Sequence, residues 1–348
     1  MAERLTLREE LAQRHPVLLK DWLRNEGVPI GDDFSCEMEF NLGRHSLRKD
    51  ARRFREYSKE ADIIFSERLD WTPLQTDVYQ QVSAGTLDAV GAGKTITSDY
   101  SKFQQGELEQ IFETGASIYH LDLPLGEESV ALQKDIIDKI MEHILLHEPP
   151  LSLEEAQKTF LNNLDKDATL HTAREEHAAA EFRSLVKKAL TERPELLNRK
   201  PLRILVIYGL AHTSLKHRIT TTYPDVLARP STEYSTSYRE EYLQNRLWGI
   251  EPTEELEKKV FFEAWAASSV PKRLLSVSQD AARIWGRNVV DALSIQEWQR
   301  MYGSWMEGSD RGGVTKFIKH KLKEAGVPDS HTGAMKLKKW YKQQTDKK

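Results

Sequence analysis

A single cysteine, Cys36, stands among 348 residues, and no CxxC pair occurs. An internal disulfide and a thiolate metal cluster are therefore excluded. No apolar run approaches membrane-spanning length, and the stretch MAERLTLREELAQRHP is charged from its third residue. Neither a membrane segment nor a secretory signal is expected, and a reducing cytoplasm is the expected compartment. An excess of one charge is missing too. Lys and Arg number 50 against 54 Asp and Glu, a net charge of -4, with both signs mixed over most of the length. Nucleic acid is not an expected partner on that balance. Solenoid repeats and low-complexity tracts are absent. The chain is 39% hydrophobic and 30% charged, the composition of an ordinary soluble protein with one large core or two modest ones.

Hydrophobic patterning orders the first two thirds. Ile204, Leu205, Val206 and Ile207 run without alternation, as in a strand covered on both faces by helices. Tyr208 and Gly209 close it, Gly209 permitting a sharp turn with positive φ, and His212 follows. FSCEMEFNL alternates strictly, with Phe34, Cys36, Met38, Phe40 and Leu42 on one face, and runs into Gly43, Arg44 and His45. Ile63–Phe65 is a short apolar strand with Glu67 at its end, and residues 116–124 hold a fourth strand. Three strands thus deliver His45, Glu67 and His212 at their carboxyl ends, where open parallel sheets bind ligands.

Helices fill the intervals. Leu7, Leu11, Leu18, Leu19, Trp22 and Leu23 repeat at helical spacing up to Gly27, with a break near Pro16. A helix is expected from Ser46 to Glu60, and Thr72-Pro73 opens another that ends by Gly85. The stretch 85–106 is rich in Gly, Ser and Thr and reads as a mobile loop. Its GKT is not a P-loop, since position 88 is Asp where a Gly is required and no buried strand precedes it. His143 and His147 share one face of a helix from 128 to 146, without the Glu of HExxH, and read as a solvated face. Ser152/Glu155 and Thr172/Glu175 look like capping boxes, so helices are expected to begin near 153 and 173, the second opening with Arg174. Residues 220–242 read as a polar excursion or lid. Helices then follow at 254–267 and 279–293, with a Trp-rich segment through Trp305. Residues 314–348 are lysine-rich, a solvated helical tail first and an acidic-partner or nucleic-acid patch second.

Taken in order, LGRHS at 42–46, ADIIFSERLD at 61–70, REEHAAAEF at 174–182 and VIYGLAH at 206–212 resemble the TraB/PrgY and Tiki family. That family lies within the superfamily of erythromycin esterase and ChaN-like proteins. One residue separates Gly43 from His45 where the family has two, and Glu175 stands where Asp or Asn is common. The resemblance implies an α/β fold with a mostly parallel sheet. Residues 1–220 would form the catalytic-type core, and 221–348 a polar excursion and helical C-terminal region packed on it. It implies hydrolysis of a peptide amide or an ester. His45, Glu67 and His212 would serve as bases or as ligands of a divalent metal (Mn, Co, Fe or Zn), Arg174 as anion stabiliser, and Glu39 would join them. Alternatives are a degenerate ligand binder, since ChaN-like relatives bind haem, and an interaction module docking through Trp285, Trp298 and Trp305. The bland ionic reading is that Arg174 merely pairs with Glu67 and each His satisfies a turn.

Overall fold

The computed structural model describes residues 7, 15–43, 54–67, 72–96, 102–123, 152–209, 212–229, 237–267, 279–306, 311–328 and 334–345. The expected helix at 128–146, with His143 and His147, lies outside them, as do His45 and most of the expected helix at 46–60. The chain divides into two compact units. One comprises Met1–Val130, Thr169–Tyr234 and Leu247–Gly249; the other comprises Ala131–Ala168, Ser235–Arg246 and Ile250–Lys348.

The first unit is built on a five-stranded, wholly parallel sheet. Its strands are β1 (Cys36–Gly43), β2 (Ile63–Ser66), β3 (Ser117–His120), β4 (Leu202–Gly209) and β5 (Val226–Ala228), in spatial order β3-β2-β4-β1-β5. This is the α/β fold expected from the strand patterns. The unalternated run of β4 sits at the centre because both its faces are covered. Ile204, Val206 and Tyr208 enter one core with Met38, Phe40 and Phe182, while Leu205 and Ile207 enter another with Ile64, Val78 and Ile111. The alternating β1 buries Cys36, Met38 and Phe40 and leaves Glu37 and Glu39 partly exposed. Each fully buried apolar side chain here stabilises the fold by roughly 1.5–3 kcal/mol.

Around the sheet run α1 (Leu19–Asn25), α2 (Pro73–Ser83), α3 (Ala89–Ile96), α4 (Lys102–Thr114), α5 (Leu153–Glu192) and α6 (Thr213–Thr222). Thr72 caps α2 with Pro73 at its first position, and Gly85, at φ +71°, ends it. Three readings are corrected. The expected loop at 85–106 holds two helices: the Asp88 carboxylate accepts from the Gly91 N–H at 2.7 Å, and Ala89, Ala92, Gly93 and Ile96 are buried on one face of α3. A capping Asp and a small-residue face outweigh the low helix propensity of glycine, and GKT is helical with Lys94 exposed. The helices expected at 153 and 173 are one, α5, of 40 residues. Only the Ser152/Glu155 box forms; no Gly or Pro interrupts 153–192, and Glu175 faces a different set of partners. Finally, the stretch read as an excursion contains the end of α6 and the edge strand β5, which pairs with β1. Three residues with one buried side chain are too short to signal a strand.

The second unit is helical. The first turns of α5 join α7 (Tyr238–Leu247), α8 (Glu254–Ala267), α9 (Gln279–Asp291), α10 (Ile295–Met306), α11 (Arg311–Glu324) and α12 (Ala334–Thr345) around a core including Phe160, Phe261, Phe262, Trp285 and Trp298. No helix among the described residues is long and apolar enough to cross a membrane.

Candidate active site

At the carboxyl ends of β2, β3 and β4 a set of charged side chains meets inside the first unit. Glu67 leaves the end of β2 with its N–H still donating to the Ile207 carbonyl of β4 at 2.9 Å, so the ladder delivers its carboxylate beside Gly209. One oxygen, Oε2, accepts from the Gly209 N–H and the other, Oε1, from Arg174 Nη2. Asp122, two residues past β3, grips the same guanidinium from a second side, accepting from Nε at 3.0 Å and from Nη2 at 2.7 Å. Arg174 is 2% exposed and its side chain is engaged on both sides, so it holds Glu67 and Asp122 together. The partners that the structure gives it are these two carboxylates.

His212 lies behind Glu67. Its N–H donates to the Gly209 carbonyl at 3.0 Å, which folds the chain back at the head of α6. Nε2 is 3.4 Å from Glu67 Oε1, an ion-pair separation rather than a hydrogen bond, and Nδ1 is 3.2 Å from Glu175 Oε1. The remaining Glu175 oxygen accepts from Ser214 Oγ and, at 3.1 Å, from Arg218 Nε. His171 stacks on the imidazole with ring centres 4.7 Å apart, and Tyr208 meets it edge-on at 5.0 Å. Periodicity explains the assembly: His171, Arg174, Glu175 and Ala178 share one face of α5, while Ser214 and Arg218 stand four apart on α6.

Charges balance in this buried set. Glu67, Asp122 and Glu175 face Arg174, Arg218 and a protonated His212. Burial drives the His212 pKa down, but the carboxylates of Glu67 and Glu175 outweigh it and raise the value to about 9. Burial, together with Asp122 and Glu67, pushes the Tyr208 hydroxyl well above its ordinary range, so it stays neutral and donates to the Leu121 carbonyl. Glu67 is the most accessible of the three carboxylates, its side chain 11% exposed against 0% for Asp122 and Glu175.

The geometry brings together Glu67, Arg174 and His212 of the expected set. His45 is outside the described residues. Glu39 does not join: it is in register with Leu205, whose side chain packs into the core on the opposite face, and its carboxylate is 3.7 Å from Arg229 Nη1. Burial raises its pKa, with Arg229 opposing. Gly209 also has a different use from the one expected, since its φ is not positive. A Cβ there would stand 3.1 Å from Glu67 Oε2 and 3.6 Å from His212 Cδ2, so glycine is needed for close approach. Asp122, Ser214, Arg218 and His171 went unread. The signal for Asp122 was a carboxylate just past a strand, the same placement as Glu67; that for Ser214 and Arg218 was their i, i+4 spacing behind His212.

Among the described residues no group of three His, Cys, Asp or Glu side chains is arranged to hold a metal ion. Both oxygens of Glu67 already accept from Arg174 and Gly209, and His212 Nδ1 faces Glu175. That donor set suits a proton-sharing pair better than a cation. Trp285 and Trp298 are buried in the core of the second unit and Trp305 packs against it, so the exposed aromatic patch that docking through them requires is not presented. What fold and site define is an α/β protein with a buried Glu–His–Glu array at the carboxyl edge of a parallel sheet. No family model, curated protein or solved structure matches the chain.

Proposed function

We propose that the protein is a hydrolase of amide or ester bonds, TraB/Tiki-like and erythromycin esterase-like in kind, working through Glu67 and His212. The observation that carries this reading is the 3.4 Å approach of His212 Nε2 to Glu67 Oε1, with Nδ1 braced by Glu175. Glu67 takes a proton from water as that water attacks the carbonyl carbon. The His212 imidazolium, protonated at neutral pH by its raised pKa of about 9, gives its Nε2 proton to the departing amine or alkoxide. The proton then passes from Glu67 to His212 and resets the pair. Arg174 and the Gly209 N–H keep the Glu67 carboxylate in place through the cycle. No step in this scheme runs through a metal.

A panel of chromogenic esters and amides, tested with wild type, Glu67→Gln and His212→Asn in chelator and with added Mn, Co, Fe or Zn, checks it. The expected result is hydrolysis that withstands chelation and falls by about 10²–10⁴-fold in either variant, both folded by circular dichroism. Wild-type rates in both variants would overturn the mechanism, and activity only with added metal would replace it with metal-assisted chemistry.

A further inference from the structure

The near-neutral whole conceals a segregation of charge. Residues 311–348 carry 11 Lys and Arg against 3 Asp and Glu, while the preceding residues carry 39 against 51. The described residues of this basic segment, 311–328 and 334–345, include α11 and α12 of the second unit. Leu322, Val327, Leu337 and Trp340 are buried in the helical core, and Trp285 Nε1 donates to the Pro328 carbonyl at 2.7 Å, tying down the turn after α11. With the apolar faces of α11 and α12 spent in that core, the lysines face outward. Lys321 pairs with Glu297 at 3.0 Å. Lys316, Lys319, Lys323, Lys336, Lys338 and Lys339 make no ion pair among the described residues and are exposed or half-exposed.

We propose that α11 and α12 form a sequence-independent site for the phosphate backbone of duplex nucleic acid. Three observations select this occupant. Membrane association through an amphipathic helix needs an apolar face to insert, and both apolar faces are covered; Met335 is the lone large apolar side chain exposed on the described part of these helices. Protein interfaces are anchored by aromatic residues and depleted of lysine, the reverse of this surface. Single strands are held by stacking on exposed aromatic rings, whereas Trp340 is buried and Phe317 and Tyr341 pack against the core. What is left is point charge on rigid helices, which suits a regular array of phosphates and carries no base readout. The charge, diluted in the whole-chain total, becomes a surface only because the helices fold with their lysines outside.

The test uses the full chain and a labelled duplex of about 20 base pairs in two unrelated sequences, with fluorescence anisotropy over a salt series. Two variants accompany it, Lys316→Glu/Lys319→Glu/Lys323→Glu and Lys336→Glu/Lys338→Glu/Lys339→Glu, each compared with wild type in thermal melting. Expected are equal affinity for both sequences, log Kd rising with log salt with a slope of about 3–5, and at least a tenfold loss in each triple variant with a slope lower by about 2–3. Absence of binding at low salt, affinity unchanged in the folded variants, or tighter binding to a single strand, phosphatidylserine vesicles or polyglutamate than to duplex would each overturn the proposal. Should the glutamate variants melt early, the corresponding Lys→Gln triples replace them and must show the same losses.

Discussion

His212 and Glu175, 37 residues apart in the chain, stand 3.2 Å from each other through Nδ1 and Oε1, fully buried. The contact fixes which imidazole nitrogen faces Glu67. Ser214 and Arg218 hold the second Glu175 oxygen, so the carboxylate is restrained on both sides. Replacing Glu175 with Gln keeps the shape and removes the charge. The His212 pKa should then fall from about 9 toward the ordinary 6.5, because burial loses one of the two carboxylates that oppose it. An NMR titration of the His212 ring measures this directly; a value unmoved from wild type would assign the whole effect to Glu67.

The same raised pKa makes stability depend on pH. The folded state binds the His212 proton more tightly than the unfolded chain, so the contribution is complete below pH 6.5 and is lost as pH rises through about 9. Its full size is on the order of 3 kcal/mol. Urea unfolding of wild type and His212→Asn between pH 6 and 10 should therefore show a wild-type decline that the variant lacks.

Arg174 neutralises two carboxylates at once, and both would be stranded without it. Arg174→Met should destabilise the protein by about 3–5 kcal/mol, the cost of leaving buried charge unpaired. Adding Asp122→Asn removes one of the stranded charges and should recover part of the loss. Chemical denaturation of the two single variants and the double variant closes the cycle, and additive losses would contradict the coupling.

In the second unit Glu263 sits 7% exposed, accepting from the Arg239 N–H at the head of α7 at 3.1 Å, while Oε1 has no hydrogen-bond partner among the described residues. Burial raises its pKa to about 7, against the pull of the Arg239 and Tyr238 N–H groups and the charges of Arg287 and Arg239. The folded state again binds the proton more tightly, so this group penalises folding fully above pH 7 and not at all below 4.5. Glu263→Gln should flatten the fall in thermal stability between those limits, and an unchanged pH profile would refute it.

Much of the scaffold was legible in the chain. The run Ile204–Ile207 has no polar residue, is short and largely β-branched and is followed by Gly209, which suits a strand covered on both faces, and the alternation from Cys36 to Leu42 suits a strand with one face in the core. Thr72-Pro73 and Gly85 mark the limits of α2 through a capping hydroxyl, a fixed φ and a positive φ. These are local properties, set by residues within a few positions of each other. Glu67 and His212 could be nominated because each follows an apolar strand at its carboxyl end, and Arg174 because residues 174–182 carry part of the family resemblance. Their partners could not. Whether Glu175 caps a helix or braces an imidazole, whether Arg174 meets a substrate or two carboxylates, and whether Gly209 turns the chain or makes room for Glu67 depends on groups up to 142 residues away. The identities of such partners are written in the sequence, but the choice among them is made by desolvation: once the sheet and α5 bury these charges, only a mutually paired arrangement is low enough in energy to persist.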